Sequence, residues 1–326
     1  FWLKAISRVA SLTGRAMQGA ATRRCAPRRP RPGDGEVSCS PRGLRQLGEL
    51  GRGAFGVVTK VEHARTGNTY ALKAIARSRI QEHSVHLCVE REVDCHSRMD
   101  HPNIVKLFQH FEDSDSIYLL LEFATGGQLY AHMRQRGVLP DLEAAGYFSD
   151  VVHALIYVHG HGIAHRDLKP ENVLLFSDEP LPSESGGTSA CCAFAAKLAD
   201  FGWSADLQHS SRTTFCGTLE YISPEMLLGE EHDHRVDVWA CGVLLCEMLT
   251  GKGPFGASGS AAPLQKIMAA EVRLEAALGE EQRDIIQGLL RQDPARRLAL
   301  QEALLSPWLA AHLGAGPRGL RRPAIR

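Results

Sequence analysis

"HRDLKPEN", residues 165–172, decides the fold. Eight residues hold two acids, Asp167 and Glu171, two cations, Arg166 and Lys169, and an amide, Asn172. Asp167 can accept a proton from a hydroxyl, Lys169 can steady a phosphate, and Asn172 offers a carbonyl oxygen, a hard donor suited to a divalent cation. "DFG" follows at Asp200, Phe201 and Gly202 and supplies a second hard oxygen ligand. "SPE" (Ser223 to Glu225) and "DVW" (Asp237 to Trp239) come next in order.

Upstream, "GRGAFGVV" places Gly51, Gly53 and Gly56 in G-x-G-x-x-G-x-V spacing. Glycines let backbone N–H groups approach phosphate oxygens with no Cβ in the way. Taken alone, the spacing also suits an ordinary Gly-rich hairpin. No helix follows it, which excludes a dinucleotide-binding βαβ unit. "YALKAIA" sets Lys73 in an apolar strand, and "VEREV" sets Glu92 in a helical segment. A lone strand lysine is usually a surface residue; a Lys–Glu pair would hold the amine against phosphate oxygens.

The order of these elements matches the protein-kinase set. Over about residues 44–309 the chain resembles a eukaryotic protein kinase. The resemblance implies an α+β, bilobal fold: a small β-rich N-lobe with one key helix and a larger, mainly α-helical C-lobe. It implies residues 44–124 as N-lobe and hinge, 125–310 as C-lobe, and 311–326 as a C-terminal tail. It also implies transfer of the ATP γ-phosphate, with Mg²⁺, to protein Ser or Thr hydroxyls. The catalytic set it implies is Asp167, Lys169, Asn172, Lys73 and Glu92, with Asn172 and Asp200 on the metal. Val58, Ala71 and Leu174 would enclose the adenine, Leu121 would be the gatekeeper, and Glu122 to Ala124 the hinge. Asp237 would anchor the His165–Arg166 loop, and Glu225 with Arg297 would brace the substrate-binding region. "HRDLKPEN" resembles the Ser/Thr type rather than the tyrosine type. A pseudokinase scaffold would lack at least one of Lys73, Asp167, Asn172 and Asp200, and all four are present.

Trp203 and Ser204 after "DFG", then "SSRTTFCGTLEYISPEM" (210–226), are similar to the Aurora Ser/Thr kinases. The chain departs from them in having one arginine, Arg212, where two are usual, and Ser223 where Pro is usual. A polo-like or calcium/calmodulin-dependent-type kinase is the alternative. The resemblance implies activation by phosphate on Thr214, with Thr213 secondary and Arg166 as its clamp. Glu171 resembles the acid with which basophilic kinases hold an arginine two residues before the phosphorylated position; Arg212 stands two before Thr214. Gln128 is neutral where some basophilic kinases carry a further acid. Substrates would be proteins with basic residues upstream of Ser or Thr, an activating protein would dock on the N-lobe, and the site of action would be nucleus or cytoplasm, spindle or centrosome. Cys216, two residues after Thr214, reads either as a redox switch or as a half-buried small residue.

Composition sets the remaining bounds. The 326 residues are 44% hydrophobic and 23% charged, ample for a sizeable core, and the net charge is zero, so no global field calls for nucleic acid or an anionic membrane. The nine cysteines show no CxxC or zinc spacing and read as reduced thiols of an intracellular protein. No apolar run reaches the roughly 18 residues of a membrane span; "VWACGVLLCEML" (238–249) reads as a buried helix interrupted by Glu247.

Residues 1–43 carry nine Lys or Arg, two acids and four prolines. They read either as a disordered tail, too poor in apolar surface to offset ordering entropy, or as an organelle-targeting peptide. "SDEPLPSESGGTSACCAFA" (177–195) reads as a surface insertion between two short strands. "LQEALLSPWL" (300–309) reads as helical.

Overall fold

A computed structural model describes residues 43–53, 56–78, 86–177, 194–202, 204–206, 219–256 and 263–314. The chain folds as two compact units. The first contains the residues up to Val89 together with Phe108–Phe123; the second contains Glu90–Leu107 and the chain from Ala124 onward.

The first unit is an antiparallel sheet of five strands in the order β1-β2-β3-β5-β4. These are β1 (Leu44–Arg52), β2 (Gly56–His63), β3 (Thr69–Ala76), β4 (Leu107–Glu112) and β5 (Ser116–Glu122). Val61, Tyr70, Leu72 and Leu120 form a buried cluster, with Leu44, Phe111 and Tyr118 packed against it. The alternation of apolar and polar residues places these side chains together, because successive strand residues face opposite ways. Gly56 is fixed by packing: a Cβ there would lie 1.8 Å from the Ala74 carbonyl oxygen on β3. Gly51 and Gly53 meet nothing within 4 Å, so strand packing does not demand glycine at either.

Helix α1 (His86–Ser97) bridges the division in the chain, with Glu90 onward packing in the second unit. The second unit continues through β6 (Gly127–Gln128), α2 (Leu129–Arg136), α3 (Asp141–Gly160), β7 (Ile163–Ala164), β8 (Val173–Phe176), β9 (Ala195–Leu198) and β10 (Ala205–Asp206). It then runs through α4 (Pro224–Leu228), α5 (Arg235–Thr250), α6 (Pro263–Met268), α7 (Glu280–Leu289), α8 (Leu300–Leu304) and α9 (Pro307–Leu313). Strands β6, β8 and β9 form one small sheet and β7 with β10 another. The expected α+β class, with a β-rich small part and a helical large part, is what the chain adopts.

Helix α5 is the axis of the larger core. It is buried at every position from Val236 to Thr250 except Glu247, as its apolar character on all sides requires. Gly242 lets α7 approach: a Cβ there would stand 2.9 Å from the Leu289 Cβ. Trp239 stacks on Phe255 with ring centroids 5.2 Å apart and planes at 1°. Fully burying such side chains stabilises the fold by roughly 1.5–3 kcal/mol each.

The segment 300–309 is helical as read, and it holds all of α8 and the start of α9, divided at Leu305–Ser306. Pro307 has no N–H to continue a helix but suits a first turn, and the Ser306 hydroxyl caps that turn by accepting the Leu309 N–H at 3.4 Å.

Candidate active site

The loop between β7 and β8 carries "HRDLKPEN", and Asp237 near the start of α5 holds its backbone. The buried carboxylate accepts the His165 N–H at 2.8 Å, the Arg166 N–H at 2.7 Å and the His159 ring N–H at 2.8 Å. Burial alone would raise the Asp237 carboxyl. The hydrogen bond and charge of His159, then the His165 ring and the Arg166 N–H, outweigh it and hold it below its usual range. Arg166 adopts φ 66°, a left-handed conformation unusual for a side-chain-bearing residue. Such a conformation costs on the order of 1–3 kcal/mol and persists where its surroundings enforce it; the bond to Asp237 is one such restraint.

The same loop closes a network on Asp167. Lys169 Nζ lies 3.0 and 2.9 Å from the two carboxylate oxygens. Asn172 Nδ2 donates to the Asp167 side chain at 2.9 Å and to its carbonyl at 2.8 Å. The Asn172 amide therefore presents its nitrogen to Asp167 and keeps its oxygen as a hard ligand atom. The Asp167 N–H points at His165 Nδ1 (3.4 Å), so the ring proton sits on Nε2 and is donated to the Ala199 carbonyl at 3.1 Å.

Asp200 is joined to this network through the adjacent residue, since the Ala199 N–H donates to the Asn172 carbonyl at 2.8 Å. Asp200 is also left-handed, at φ 65°, and its Oδ1 accepts the Gly202 N–H at 3.2 Å. A Cβ on Gly202 would stand 3.2 Å from that oxygen and 3.3 Å from Glu92 Oε2, so the carboxylates of Glu92 and Asp200 both flank this glycine. Phe201 is fully buried, with the His165 ring edge-on at 5.2 Å and the His96 ring at 4.9 Å.

Asp167, Lys169, Asn172, Asp200 and Glu92 are thus gathered in the larger unit, with Glu171, Ala124 and Leu174 in the same unit. Gly51, Gly53, Gly56, Val58, Ala71, Lys73, Leu121 and Glu122 belong to the smaller one. There Lys73 pairs in register with Val58 on one side and Leu119 on the other, and Ala71 pairs with Leu121. Arg212, Thr213, Thr214 and Cys216 lie outside the described residues, as do Trp203 and most of the 177–195 insertion.

Glu225 and Arg297 form the expected ion pair. Two parallel bonds of 2.7 Å join them, and their side chains are 6% and 1% exposed. Arg297 also donates to the carbonyls of Arg235 and Arg291, and its guanidinium lies 5.2 Å from the Trp239 ring centroid. The pairing uses the planar fork of arginine, which lysine cannot reproduce.

A further acid was not singled out from the sequence. Glu247 on α5 accepts the Tyr221 hydroxyl. Burial raises its carboxyl, the Tyr221 hydroxyl opposes, and the charges of Glu220 and Glu171 raise it further. Burial first, and then the charges of Glu247, Glu171 and Glu220, raise the Tyr221 hydroxyl well above its usual range. The only signal in the sequence was one acid in an otherwise apolar helix.

The donor set fits a hard divalent cation: an amide oxygen on Asn172 and a carboxylate on Asp200. Among the described residues, no group of three or more His, Cys, Asp or Glu side chains is placed to hold a metal. A cation here would depend on substrate oxygens as well. No helix among the described residues is long and apolar enough to cross a membrane.

Comparison with known proteins agrees with this geometry. The family model described as "Protein kinase domain" matches residues 44–309. The chain is 36% identical over 272 residues to an Aurora kinase of Schizosaccharomyces pombe, covering 83% of this chain and 72% of that protein. It is 38% identical over 262 residues to an Aurora kinase of Candida glabrata, covering 80% and 69%. It is 37% identical over 260 residues to Aurora kinase A-A of Xenopus laevis, covering 80% and 60%. The chain belongs to the protein kinase family and is an Aurora-like protein serine/threonine kinase with ATP as its phosphate donor.

Proposed function

We propose that Asp167 receives or orients the hydroxyl of a protein Ser or Thr while Lys169 stabilises the transferring phosphoryl group. The observation that supports this is the Asp167 network, in which Lys169 and Asn172 hold the carboxylate from two sides. Lys73 positions the phosphates, with Glu92 as its partner. Gly51, Gly53 and Gly56 let the backbone approach them, and Val58, Ala71, Leu121, Glu122, Ala124 and Leu174 receive the base. Asn172 and Asp200 would hold Mg²⁺, which neutralises phosphate charge when bound. Residues 44–124 act as N-lobe and hinge and 125–310 as C-lobe, with tails on either side.

Glu171 selects an arginine two residues before the acceptor, with Glu247 and Glu220 reinforcing the negative field around Tyr221. Phosphate on Thr214 activates the enzyme by pairing with Arg166, since it brings a charge of about −1.5 to −2 and three acceptor oxygens. An activating protein docks on the N-lobe, and the enzyme acts in mitosis at the spindle or centrosome, by analogy with the relatives named Aurora kinase.

The test is phosphorylation of a peptide library with Mg-ATP. Lys73→Met and Asp200→Asn should each abolish transfer with the melting temperature retained. Wild-type turnover should favour arginine two residues upstream of Ser or Thr. Near-wild-type turnover in either variant would overturn the site, and indifference to the upstream arginine would overturn the specificity.

A further inference from the structure

A turn, Ala124–Gly127, leads into β6 in the larger unit. The Gly127 N–H closes it by donating to the Ala124 carbonyl at 3.4 Å, and Gly127 takes φ 71°. Both central residues of the turn are held by a distant part of the chain. The Gly126 N–H donates to the Leu175 carbonyl at 2.9 Å. The Thr125 hydroxyl accepts the Ser177 N–H at 2.9 Å. These two restraints come from the end of β8 and the residue just past it.

The third restraint is the ring of Phe194, the residue before β9. A Cβ on Gly126 would stand 2.7 and 2.8 Å from two of its ring carbons and 2.9 Å from the Leu175 Cβ. Gly126 has no positive φ, so this close approach, not backbone conformation, demands glycine there. The ring is itself held in place. Ala195 pairs with Phe176 in the β8–β9 ladder, and the His132 ring stands edge-on to Phe194 at 6.2 Å. His132 in turn is bonded to Glu143 at 2.5 Å. A ring that served only to fill the core would pack on side chains. This one also lies against the backbone of a turn, two residues from Ala124. Leu175, on the other side of Gly126, is fully buried, and its neighbour Leu174 faces the opposite way along β8.

We infer that Phe194 is a positioning residue for the nucleotide: its ring clamps Gly126 against Leu175 and so fixes the Ala124 backbone that receives the adenine base beside Leu174. The inference rests on the roles given to Ala124 and Leu174 under the proposed function. Phe194 acts through the turn and does not touch the base. Without the ring, Thr125 and Gly126 gain room to move, and the Ala124 N–H and carbonyl lose their fixed direction. A pocket orients its ligand through a few such placed polar groups, so affinity for the base falls. Asp167, Lys169 and Asn172 stand on another loop, held by their own bonds and by Asp237. Their geometry survives, and the chemical step with it. The loss therefore falls on binding of the base and not on turnover.

The test is steady-state phosphorylation of a Ser/Thr peptide by the full chain, with ATP and peptide titrated separately and adenosine as competitor. Phe194→Ala should raise the KM for ATP and the Ki for adenosine together by about three- to tenfold, the range of one lost neutral hydrogen bond. Both kcat and the KM for peptide should hold within about twofold. Phe194→Leu, which refills much of the space, should recover most of the affinity. Leu309→Ala, at a buried position on α9, is the control for lost stability. Assayed well below melting, it should lower the melting temperature without moving the KM for ATP. A KM for ATP unmoved by Phe194→Ala, or moved equally by Leu309→Ala, would overturn the inference. Leu174→Ala separates this result from the assignment of the base site: it should weaken adenosine whatever Phe194 does. If Leu174→Ala left adenosine binding intact, the base site itself would be misplaced, and the inference would fall with it.

Discussion

Asp237 accepts the backbone N–H of Arg166 at 2.7 Å across 71 residues of chain, and so fixes the start of the loop that carries Asp167. The adjacent His165 N–H is bound by the other oxygen of the same carboxylate. One buried side chain thereby sets the position of the residue before Asp167 and the direction in which the Asp167 backbone continues.

Asp237→Asn should lower stability by about 2–4 kcal/mol, because a charged acceptor of three N–H groups becomes a neutral one with a misplaced donor. Folding holds this carboxyl below its ordinary range, so its contribution is complete above an unfolded value of about 3.9. That contribution is lost as the pH falls through the lower, folded value. Urea denaturation from pH 7 to pH 2 should therefore show wild-type stability falling more steeply below about pH 4 than that of Asp237→Asn. Parallel curves would show that the carboxylate is not the acid-sensitive group.

The Glu225–Arg297 pair should be costly to break and tolerable to replace. Arg297→Ala leaves a buried carboxylate and empties the space beneath Trp239, and should cost about 3–5 kcal/mol in urea melts. Replacing both partners with apolar residues of similar volume should recover much of that loss. If the double replacement proved as unstable as Arg297→Ala alone, the pair would matter for more than the satisfaction of each charge by the other.

At the insertion, the structure moves the boundary of what can be removed. Phe194 packs against the larger core, with the His132 ring edge-on at 6.2 Å. A Cβ on Gly126 would stand 2.7 Å from the Phe194 ring. Replacing residues 178–193 with a short Gly-Ser turn should preserve folding and most activity. Phe194→Ala should lower stability by about 2–4 kcal/mol, in the range of truncated aromatics that are not fully buried. A melting temperature unchanged by Phe194→Ala would contradict its packing.

The two threonines should separate. Thr214→Ala should leave ATP binding nearly intact and sharply cut activity, while Thr213→Ala should matter much less, since Arg212 is two residues from the first and one from the second. Glu171→Ala should slow phosphorylation of Thr214. Mass spectrometry of autophosphorylated protein, paired with peptide turnover, reads both; full activity with Thr214 unmodified would exclude it as the switch.

Much of the fold was legible because its elements have distinct periods. "TYALKAIA" and "IYLLLEF" read as strands and are β3 and β5; "VWACGVLLCEML" reads as a buried helix and lies inside α5. The catalytic cluster, Glu92 apart, was legible because its residues fall within eight consecutive positions and one tripeptide. The rest depends on distant parts of the chain. Glu247 meets Tyr221 across 26 residues. Glu143 is buried between His132 at 2.5 Å, Arg136 at 2.8 Å and Tyr147 at 3.0 Å, a cluster that no local pattern announces. The break between α8 and α9 was missed although Ser306–Pro307 marks it, because the apolar spacing on both sides continues in step.

The role of Asp167 is tested most directly by steady-state phosphorylation of a Ser/Thr peptide with Asp167→Asn, alongside ATP binding by the same protein. Removing the proton-accepting carboxylate should lower kcat by roughly 10²–10⁴-fold, with ATP affinity essentially unchanged. A kcat that held while ATP affinity fell would contradict it.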